Sequence, residues 1–183
     1  MIDAPETLST RRLLLRQPQF ADADAIFAYA SDSEVVYFMD YRPRTEISDL
    51  VDYMNGHSAR WNAGDFSWVI TVKPDDRAVG TIACSVDAHV ADFGYLLNRH
   101  HWGMGYATEA AIAVVHWISS QPEIYRVQAT CDAENVASAR VLEKCGLRYE
   151  GRLHCYTVRP NISAAPRDTL MYALATHRNI AEG

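Results

Sequence analysis

The chain has 183 residues, of which 49% are hydrophobic, and its 17 Lys or Arg stand against 23 Asp or Glu, giving a formal net charge of −6 at pH 7. This length and composition are typical of one soluble globular domain, residues 1–183, and exclude a disordered, collagen-like or coiled-coil chain. The acidic balance argues against a direct nucleic-acid partner, because recognition of a phosphate backbone depends on clustered Lys and Arg.

The first half of the chain alternates short apolar runs with turn signals. Residues 11–16 are predicted to form a strand, and residues 21–30 a helix, because Ala, Ile and Phe recur there at helical spacing. A second helix is predicted to begin at Thr45, where capping and acidic residues precede an apolar stripe, and to stop at residues 62–64. Three strands follow, the first two joined as a hairpin by a turn at residues 74–77, and they cover residues 66–73, 78–88 and 92–98.

The second half changes to helical periodicity and then returns to strands. Small and branched apolar residues predict a long helix from Ala107 to the Gln121-Pro122 stop. The elements predicted after it are a strand at 125–131, a helix at 136–144 closed by Gly146, and strands at 149–159 and 170–174. The order β-α-α-β-β-β-α-β-α-β-β predicts an α/β (α+β) domain with a mixed sheet of about seven strands and about four helices, not a doubly wound one.

The cysteines and the N-terminus indicate the compartment. The chain has no C-x-x-C pair and no histidine at finger-like spacing, so we expect no metal site. Apolar runs surround the cysteines, which favours buried thiols in a reducing cytosol; they are Cys84, Cys131, Cys145 and Cys155. No signal peptide is visible, and no apolar run approaches the roughly 18 residues that a membrane span requires. We therefore expect a cytoplasmic protein with no membrane partner.

A glycine-bearing turn between a strand and the long helix carries the most information. Gly103 and Gly105 allow successive main-chain N–H groups to converge at a helix N-terminus, which is a cradle for phosphate groups. The alternative is a tight turn with no ligand. A Walker loop is excluded because the chain has no Gly-Lys pair, and a dinucleotide-binding fingerprint fails because Thr108 stands where its third glycine is needed.

Two segments in order, residues 102–107 and 135–146, resemble the cofactor motifs of the GNAT N-acetyltransferase superfamily. The Trp102-Gly-Met-Gly-Tyr-Ala107 segment fits the [QR]-x-x-G-x-[GA] acetyl-CoA motif, with Trp102 in the usual Gln or Arg position, and residues 135–146 look like the second motif. The opening, residues 10–16, and residues 146–151 resemble the Rim branch, which contains the ribosomal-protein N-terminal acetyltransferases. The resemblance implies acetyl-CoA as cosubstrate and a sheet splayed between the fourth and fifth strands.

The resemblance also implies a binding site for acetyl-CoA. The strand before the glycine loop holds the pantetheine arm in relatives, and its matching residues are Leu96 and Leu97. Main-chain N–H groups of the loop would hold the diphosphate, and the residues of this segment are Trp102, Gly103, Met104, Gly105, Tyr106, Ala107 and Thr108. Asn135 resembles the superfamily's side-chain contact to pantetheine, although a helix N-cap explains the same residue and is compatible with that contact.

The catalytic residues depart from the familiar pattern. A tyrosine proton donor commonly stands where this chain has Leu142, so we expect Ser138 to substitute, against the alternative of a helix serine bonded to a local carbonyl. Asp92 matches an acid that the branch often has before the loop and is the candidate base, against the alternative of a solvated carboxylate. Thr157 stands where some relatives use a glutamate, which weakens the case for the same substrate.

The leading hypothesis is an acetyl-CoA-dependent N-acetyltransferase in which a primary amine attacks the thioester directly. The acceptor stays open between a protein N-terminal α-amine, of a ribosomal or other protein, and a small amine or amino acid; the negative net charge is expected to steer cationic acceptors. The rivals are a catalytically weak acyl-CoA-binding sensor or scaffold and a nucleotide-binding module. The oligomeric state stays open between monomer and homodimer.

Five aromatic residues belong either to the core or to an acceptor pocket: Trp61, Trp68, Tyr37, Phe38 and Tyr41.

Overall fold

A computed structural model describes residues 2–176, which form one eight-stranded sheet covered by helices on both faces. The predicted domain, residues 1–183, extends past these bounds, and Met1 and residues 177–183 lie outside the described part. No helix within it combines the length and the apolar character that a membrane crossing needs.

The helices and strands follow the predicted order, with short 3-10 helices at Phe20–Asp22 and Arg99–His101. Their bounds in chain order are β1 Thr7–Ser9, β2 Leu13–Arg16, α1 Ala23–Ala30, α2 Ser48–Asn55, α3 His57–Asn62, β3 Asp65–Val72, β4 Ala78–Asp87, β5 Val90–Leu97, α4 Tyr106–Ser119, β6 Arg126–Asp132, α5 Val136–Lys144, β7 Arg148–Val158 and β8 Pro166–Ala175.

The α/β prediction with a mixed sheet is confirmed, and the element count differs for local reasons. The eighth strand is β1, whose three residues are too few to produce an alternation signal but pair with β2. The helix predicted from Thr45 begins at Ser48 and divides at Gly56 into α2 and α3. The last strand begins at Pro166, before the apolar run that indicated its position.

The sheet opens between β5 and β6, which creates the space for a site. The strand order is β1-β2-β3-β4-β5-β6-β8-β7, and the β5–β6 pair is parallel while every other pair is antiparallel. These two strands pair at three positions, ending at Asp92 and Gln128, although β5 continues to Leu97 and β6 to Asp132. The predicted splay between the fourth and fifth strands is this gap, since β1 adds one to the count.

Alternating side chains place the core on both faces of the sheet. Phe93 and Leu97 of β5 pack with the apolar stripe of α4, while Leu96 joins a smaller cluster beneath α1 and α2. Trp61 and Trp68 belong to the larger core, with their ring centroids 5.2 Å apart. Burial of this apolar surface is the main stabilising contribution to the sheet that carries the gap.

Candidate active site

A cavity of about 1100 Å³ lies at the open ends of β5 and β6. It is enclosed by the end of β5, the start of α4, one side of α5 and two loops, residues 33–43 and 160–161. Of the predicted site residues, those that line it are Leu96, Leu97, Trp102, Gly103, Gly105, Tyr106, Ala107, Thr108, Asn135 and Ser138. Met104 and Asp92 are not among its lining residues.

The glycine loop presents unpaired donors to this cavity. Gly103 and Gly105 have φ of 75° and 77°, a left-handed conformation that side chains with a Cβ rarely adopt. Within the described chain, no oxygen accepts a hydrogen bond from the main-chain N–H groups of residues 103–108. The first turn of α4 adds the positive end of the helix dipole. These groups fit an anionic ligand such as the diphosphate of coenzyme A.

The loop is held in place by residues from the start of the chain. Arg12 donates through Nη1 to the carbonyl of Met104 at 2.9 Å. Met104 therefore helps to hold the loop, although it does not line the cavity. Thr10 and the main-chain N–H of Arg12 donate to Oε1 of Glu109 at 2.6 and 2.9 Å. Burial opposes ionisation of Glu109, but these hydrogen bonds and the charge of Arg12 outweigh it and lower its pKa. Glu109 therefore braces the loop in addition to favouring the helix dipole.

The two predicted residues of β5 contribute differently to the cavity. Asn98 donates its N–H to Val79 of β4, and a Cβ added at Gly80 would lie 2.6 Å from the Leu96 carbonyl, so Leu96 turns its main chain toward β4. Main-chain groups alternate along a strand, and those of Leu97 therefore face the gap. The carbonyl of Leu97 accepts a hydrogen bond from Nε1 of Trp102 at 2.7 Å. Leu96 lines the cavity with its side chain instead.

A pair of hydroxyl groups bridges the gap between β5 and α5. Tyr95 donates from its phenol to Oγ of Ser138 at 3.2 Å. Burial raises the pKa of Tyr95 to about 12, while the bond to Ser138 acts the other way. Asn135 caps α5, its Oδ1 accepting from the N–H of Ser138 at 3.0 Å, which leaves its Nδ2 donor available to the cavity. The two interpretations of Asn135 are thus compatible in space.

Asp92 lies where the strands begin to separate. It is the last β5 residue in register with β6, and its Oδ2 accepts from Nε2 of Gln128 at 3.3 Å. Burial raises its pKa, and the bond from Gln128 only partly offsets this. Gly94, two residues on, has no atom within 4 Å of where a Cβ would be. This leaves an open path along the sheet face from Asp92 to Leu96 at the cavity wall.

Leu142 and Thr157 stand where relatives commonly carry catalytic residues, and neither lines the cavity. Leu142 is 1% exposed and packs in the core. The hydroxyl of Thr157 accepts from Thr169 at 3.3 Å in a neighbouring strand.

The loop at 159–165 approaches the cavity through Asn161, whose Nδ2 donates to the carbonyls of Val36 and Tyr41 at 2.7 and 2.8 Å. This joins two loops that enclose the same space.

The aromatic candidates divide between two environments. Tyr37 and Phe38 line the cavity, with their rings in an edge-on contact 5.0 Å apart. Trp61 and Trp68 belong to the core and do not line the cavity. Tyr41 lies beside it, since its carbonyl accepts from Asn161. The residues around 37–41 therefore form the aromatic wall of the cavity, and the tryptophans do not.

The charge of the cavity differs from the charge of the chain. Among the described residues that line it, Glu34 carries a carboxylate, and Arg42, Arg140 and Lys144 carry permanent positive charge. Glu34 itself lies 3.3 Å from Nη1 of Arg99. The lining is thus cationic, although the net charge of −6 led us to expect attraction of cationic acceptors. Charge on the outer surface, and not in the cavity, accounts for the acidic balance.

Sequence reasoning missed several cavity residues. Arg140 and Lys144 lie four positions apart on α5, a spacing that places both on one face of a helix and could have indicated a basic surface. Tyr95 and Asn161 leave no local signal, because their partners come from distant parts of the chain. These contacts are visible only once the sheet is folded.

The split sheet, the glycine loop at a helix N-terminus and the cavity between them define an acyltransferase. Residues 12–148 match the family model of the acetyltransferase (GNAT) domain, and the chain belongs to this family. An uncharacterized N-acetyltransferase of Bacillus licheniformis, p20, is 34% identical over 157 residues, which cover 82% of this chain and 87% of that protein. The general activity of the family is transfer of an acyl group to an amine.

Solved structures share this fold over nearly the whole chain. The GNAT acetyltransferase from Bacillus anthracis has a TM-score of 0.81 and 28% identity, covering 93% of this chain and 98% of its own. RimL, a ribosomal L7/L12 α-N-protein acetyltransferase solved with coenzyme A, has a TM-score of 0.81 and 17% identity, with coverages of 93% and 98%. The spermidine N-acetyltransferase of Vibrio cholerae, solved with CoA and spermine, has a TM-score of 0.79 and 16% identity, covering 91% of this chain and 97% of its own. The last two likenesses show the fold alone.

Proposed function

We propose that this protein transfers an acetyl group from acetyl-CoA to a primary amine by direct attack of the amine on the thioester. The observation that carries the proposal is the gap between β5 and β6, which places free N–H donors of the glycine loop and the Ser138 hydroxyl on one cavity. Acetyl-CoA supplies the activated acyl group when it is bound. The chain's own residues must then bind it, orient the amine and move protons.

The glycine loop and α5 are the proposed holding elements for the cosubstrate. The N–H groups of residues 103–108 would bind the diphosphate, and Arg140 and Lys144 add positive charge for phosphate groups on the same cavity. Leu97 and the free Nδ2 of Asn135 are the proposed contacts for the pantetheine amides. Solved relatives of the same fold have been crystallised with CoA, which supports this choice of ligand.

Ser138 is the proposed proton donor to the departing sulfur. Its oxygen accepts the hydrogen of Tyr95, so its own hydrogen is free to point into the cavity. As the amine nitrogen bonds to the acetyl carbon, the carbon–sulfur bond breaks and the sulfur takes up the proton of Ser138. The nitrogen loses one proton to water as the amide forms, and water returns one proton to Ser138. The phenol of Tyr95 is protonated at neutral pH, and burial, which raises its pKa to about 12, keeps it so; it can therefore act as the donor to Ser138.

Asp92 is the proposed base for the ammonium group of the acceptor. Its raised pKa makes the carboxylate a better proton acceptor than an exposed aspartate. Contact with the amine would run through water along the open face at Gly94, since Asp92 is outside the cavity wall. A proton taken there passes to solvent. The amine that remains is neutral and nucleophilic.

A thiol-release assay with acetyl-CoA and a panel of primary amines tests the function. We expect amine-dependent release of CoA, a rise in melting temperature with acetyl-CoA or CoA, and no rise with NAD. Ser138→Ala should lower kcat by about tenfold or more, whereas Ser120→Ala, an exposed serine at the end of α4, should not. Binding of CoA without turnover of any amine would favour the sensor or scaffold function instead. Absence of CoA binding would contradict the proposal.

A further inference from the structure

Arg159 follows β7 directly and carries a guanidinium group that is buried without a partner. Its exposed fraction is 8%. The Nε atom is enclosed, and within residues 2–176 nothing accepts its hydrogen. The Nη1 and Nη2 atoms also have no hydrogen bond or ion pair to that part of the chain, but they are not enclosed as Nε is. The charged end of the side chain therefore retains access to open space.

Arg16 shows how this fold treats an arginine of equal burial. Its exposed fraction is also 8%. Nη1 and Nη2 donate to the two carboxylate oxygens of Asp22 at 2.8 and 2.9 Å, and Nε donates to Asp76 at 2.7 Å. Removing a guanidinium from water is unfavourable unless an anion and hydrogen bonds replace the lost solvation. Arg16 has that replacement within the chain, and Arg159 does not.

The position of Arg159 connects it to the cavity. Pro160 and Asn161, the next two residues, line the cavity wall. Thr157, two residues before Arg159, is in register with Arg167 of β8, whose side chain bonds to Asp132 at the end of β6. Asp132 comes three residues before the cavity residue Asn135. Arg159 is not itself among the lining residues of the cavity, but the two residues that follow it are, and the strand end beside it leads to a third, Asn135.

The nearby acid is already committed to another arginine. Both carboxylate oxygens of Asp132 accept from Arg167, at 2.7 Å from Nε and 3.0 Å from Nη2. Burial raises the pKa of Asp132, but these bonds, with a contribution from the charge of Arg159, outweigh it and lower the pKa. Arg167 also lies 2.9 Å from Oε2 of Glu134, so both nearby carboxylates, Asp132 and Glu134, are paired with Arg167, and neither forms an ion pair with Arg159.

The phosphate groups of the cosubstrate have their own donors. The free N–H groups of residues 103–108 and the basic side chains of α5, Arg140 and Lys144, already provide an anion site on this cavity. Arg159 belongs to neither set, since it follows β7. The other reactant, the acceptor, is therefore the source of an anion for Arg159 that these donors leave unassigned.

We propose that Arg159 binds a carboxylate of the acceptor, and that the acceptor is a small amino carboxylate such as an amino acid. The inference rests on the proposed N-acetyltransferase function and narrows its acceptor. A guanidinium binds a carboxylate through two parallel N–H···O bonds, as Arg167 and Asp132 do in this chain. A polyamine carries no anionic group that could pair with Arg159. The α-amine of a protein N-terminus has no free carboxylate beside it.

The test compares acceptors that differ only in the carboxylate. The intact protein is assayed for thiol release with phenylalanine, phenylalanine amide and phenethylamine, then with phosphoethanolamine, spermidine and an amidated tetrapeptide. Arg159→Met removes the charge at similar size, Arg159→Lys retains it, and Arg148→Met on the exposed start of β7 is the matched control. KM is measured separately for the amine and for acetyl-CoA. Melting temperatures with and without acetyl-CoA show whether each variant folds and binds the cosubstrate.

We expect wild type to favour the amino acid over its amide and its amine by about tenfold or more in kcat/KM, because a hydrogen-bonded charge pair carries that discrimination. Arg159→Met should abolish the preference and raise the amino-acid KM, Arg159→Lys should retain part of it, and the acetyl-CoA KM should stay constant. A preference for phosphoethanolamine would identify a phosphate instead and contradict the carboxylate.

Other results contradict the inference while leaving the proposed function intact. One is equal or faster turnover of phenethylamine, spermidine or the tetrapeptide by wild type, which needs no variant to interpret. Another is an unchanged preference in Arg159→Met, or an effect confined to the acetyl-CoA KM, which would assign Arg159 to the cosubstrate. Failure of the N-acetyltransferase proposal is distinct from these, since wild type would then release no thiol with any amine.

Discussion

The Nε atom of Arg12 lies 2.6 Å from Oε2 of Glu109, although 97 residues separate them in the chain. The same arginine lies with its guanidinium carbon 4.7 Å from the ring centre of Tyr106 and donates to the carbonyl of Met104. The turn between β1 and β2 therefore fixes the glycine loop from outside the cavity. Rigid donors bind an anion with less loss of entropy than mobile ones.

Glu109→Gln should loosen this attachment. Loss of a carboxylate that accepts from Thr10 and twice from Arg12 should cost about 1–3 kcal/mol in the free energy of unfolding at pH 7. It should also weaken binding of acetyl-CoA, measured by calorimetry. Glu150→Gln is the control, because the pair between Arg126 and the exposed Glu150 should contribute only about 0–1 kcal/mol.

The effect of Glu109→Gln should depend on pH. The folded pKa of Glu109 lies below its ordinary value of 4.5, so its contribution is fully present above that pH. It is lost as the pH falls through the folded pKa. Urea unfolding of wild type and Glu109→Gln should therefore show a difference that is constant from pH 7 to 5 and narrows below about 4.5. A difference that persists unchanged in acid would show that the ionised carboxylate does not brace the loop.

Gly105→Ala should impair the glycine loop itself. A φ of 77° disfavours any residue with a Cβ by about 1–2 kcal/mol, and the added atom would lie 3.4 Å from Nη2 of Arg12. We expect lower stability and a weaker rise in melting temperature with CoA. Gly151→Ala is the matched control, because nothing lies within 4 Å of its added Cβ and its φ is not positive. Unchanged CoA binding in Gly105→Ala would contradict the anion cradle.

Asp92→Asn should stabilise the fold at neutral pH while lowering activity. The folded pKa of Asp92 lies above its ordinary value of 3.8, because burial disfavours the carboxylate. Its protonated form is therefore the more stable one, and stability is lost as pH rises through the folded pKa. The variant should have a higher urea midpoint than wild type at pH 7, and the gain should disappear below about pH 4. A catalytic base predicts reduced kcat in the same variant, whereas a solvated carboxylate predicts neither change.

Tyr95→Phe should reveal whether the hydroxyl pair acts as a unit. Removal of the phenol leaves Ser138 free to turn its hydrogen away from the cavity, so kcat should fall by about 3- to 30-fold with little change in the acetyl-CoA KM. The double variant with Ser138→Ala should be no slower than Ser138→Ala alone. Additive losses would show that the two hydroxyl groups act independently.

The glycine loop was predictable because its chemistry is local. Gly103, Gly105 and the helix that begins after them lie in one short segment, and the segment alone determines where the N–H groups point. The splay followed from the family resemblance, and β1 escaped prediction because three residues carry no periodic signal. Local pattern therefore accounts for most of the elements and for the free N–H donors of the glycine loop.

The remaining features depend on contacts between distant segments. Arg12 with Glu109, Tyr95 with Ser138 and Asn161 with the 36–41 loop each join parts of the chain that the sequence does not relate. That Arg159 Nε has no partner is still harder to foresee, because it depends on where the acceptor groups of the folded chain lie. The cationic lining of the cavity could not be foreseen either, since a net charge says nothing about which side chains converge.

Trp102 gives the protein its own optical probe of the cavity. The chain has four tryptophans, and Trp61, Trp68 and Trp117 pack against one another in the core, with centroid distances of 5.2 and 5.4 Å. Trp102 is 47% exposed at the cavity edge and is anchored by its indole N–H to Leu97. Its emission should be red-shifted relative to the other three and should respond when a ligand displaces water from the gap. Stopped-flow fluorescence of the unlabelled protein could then time cosubstrate arrival separately from acyl transfer.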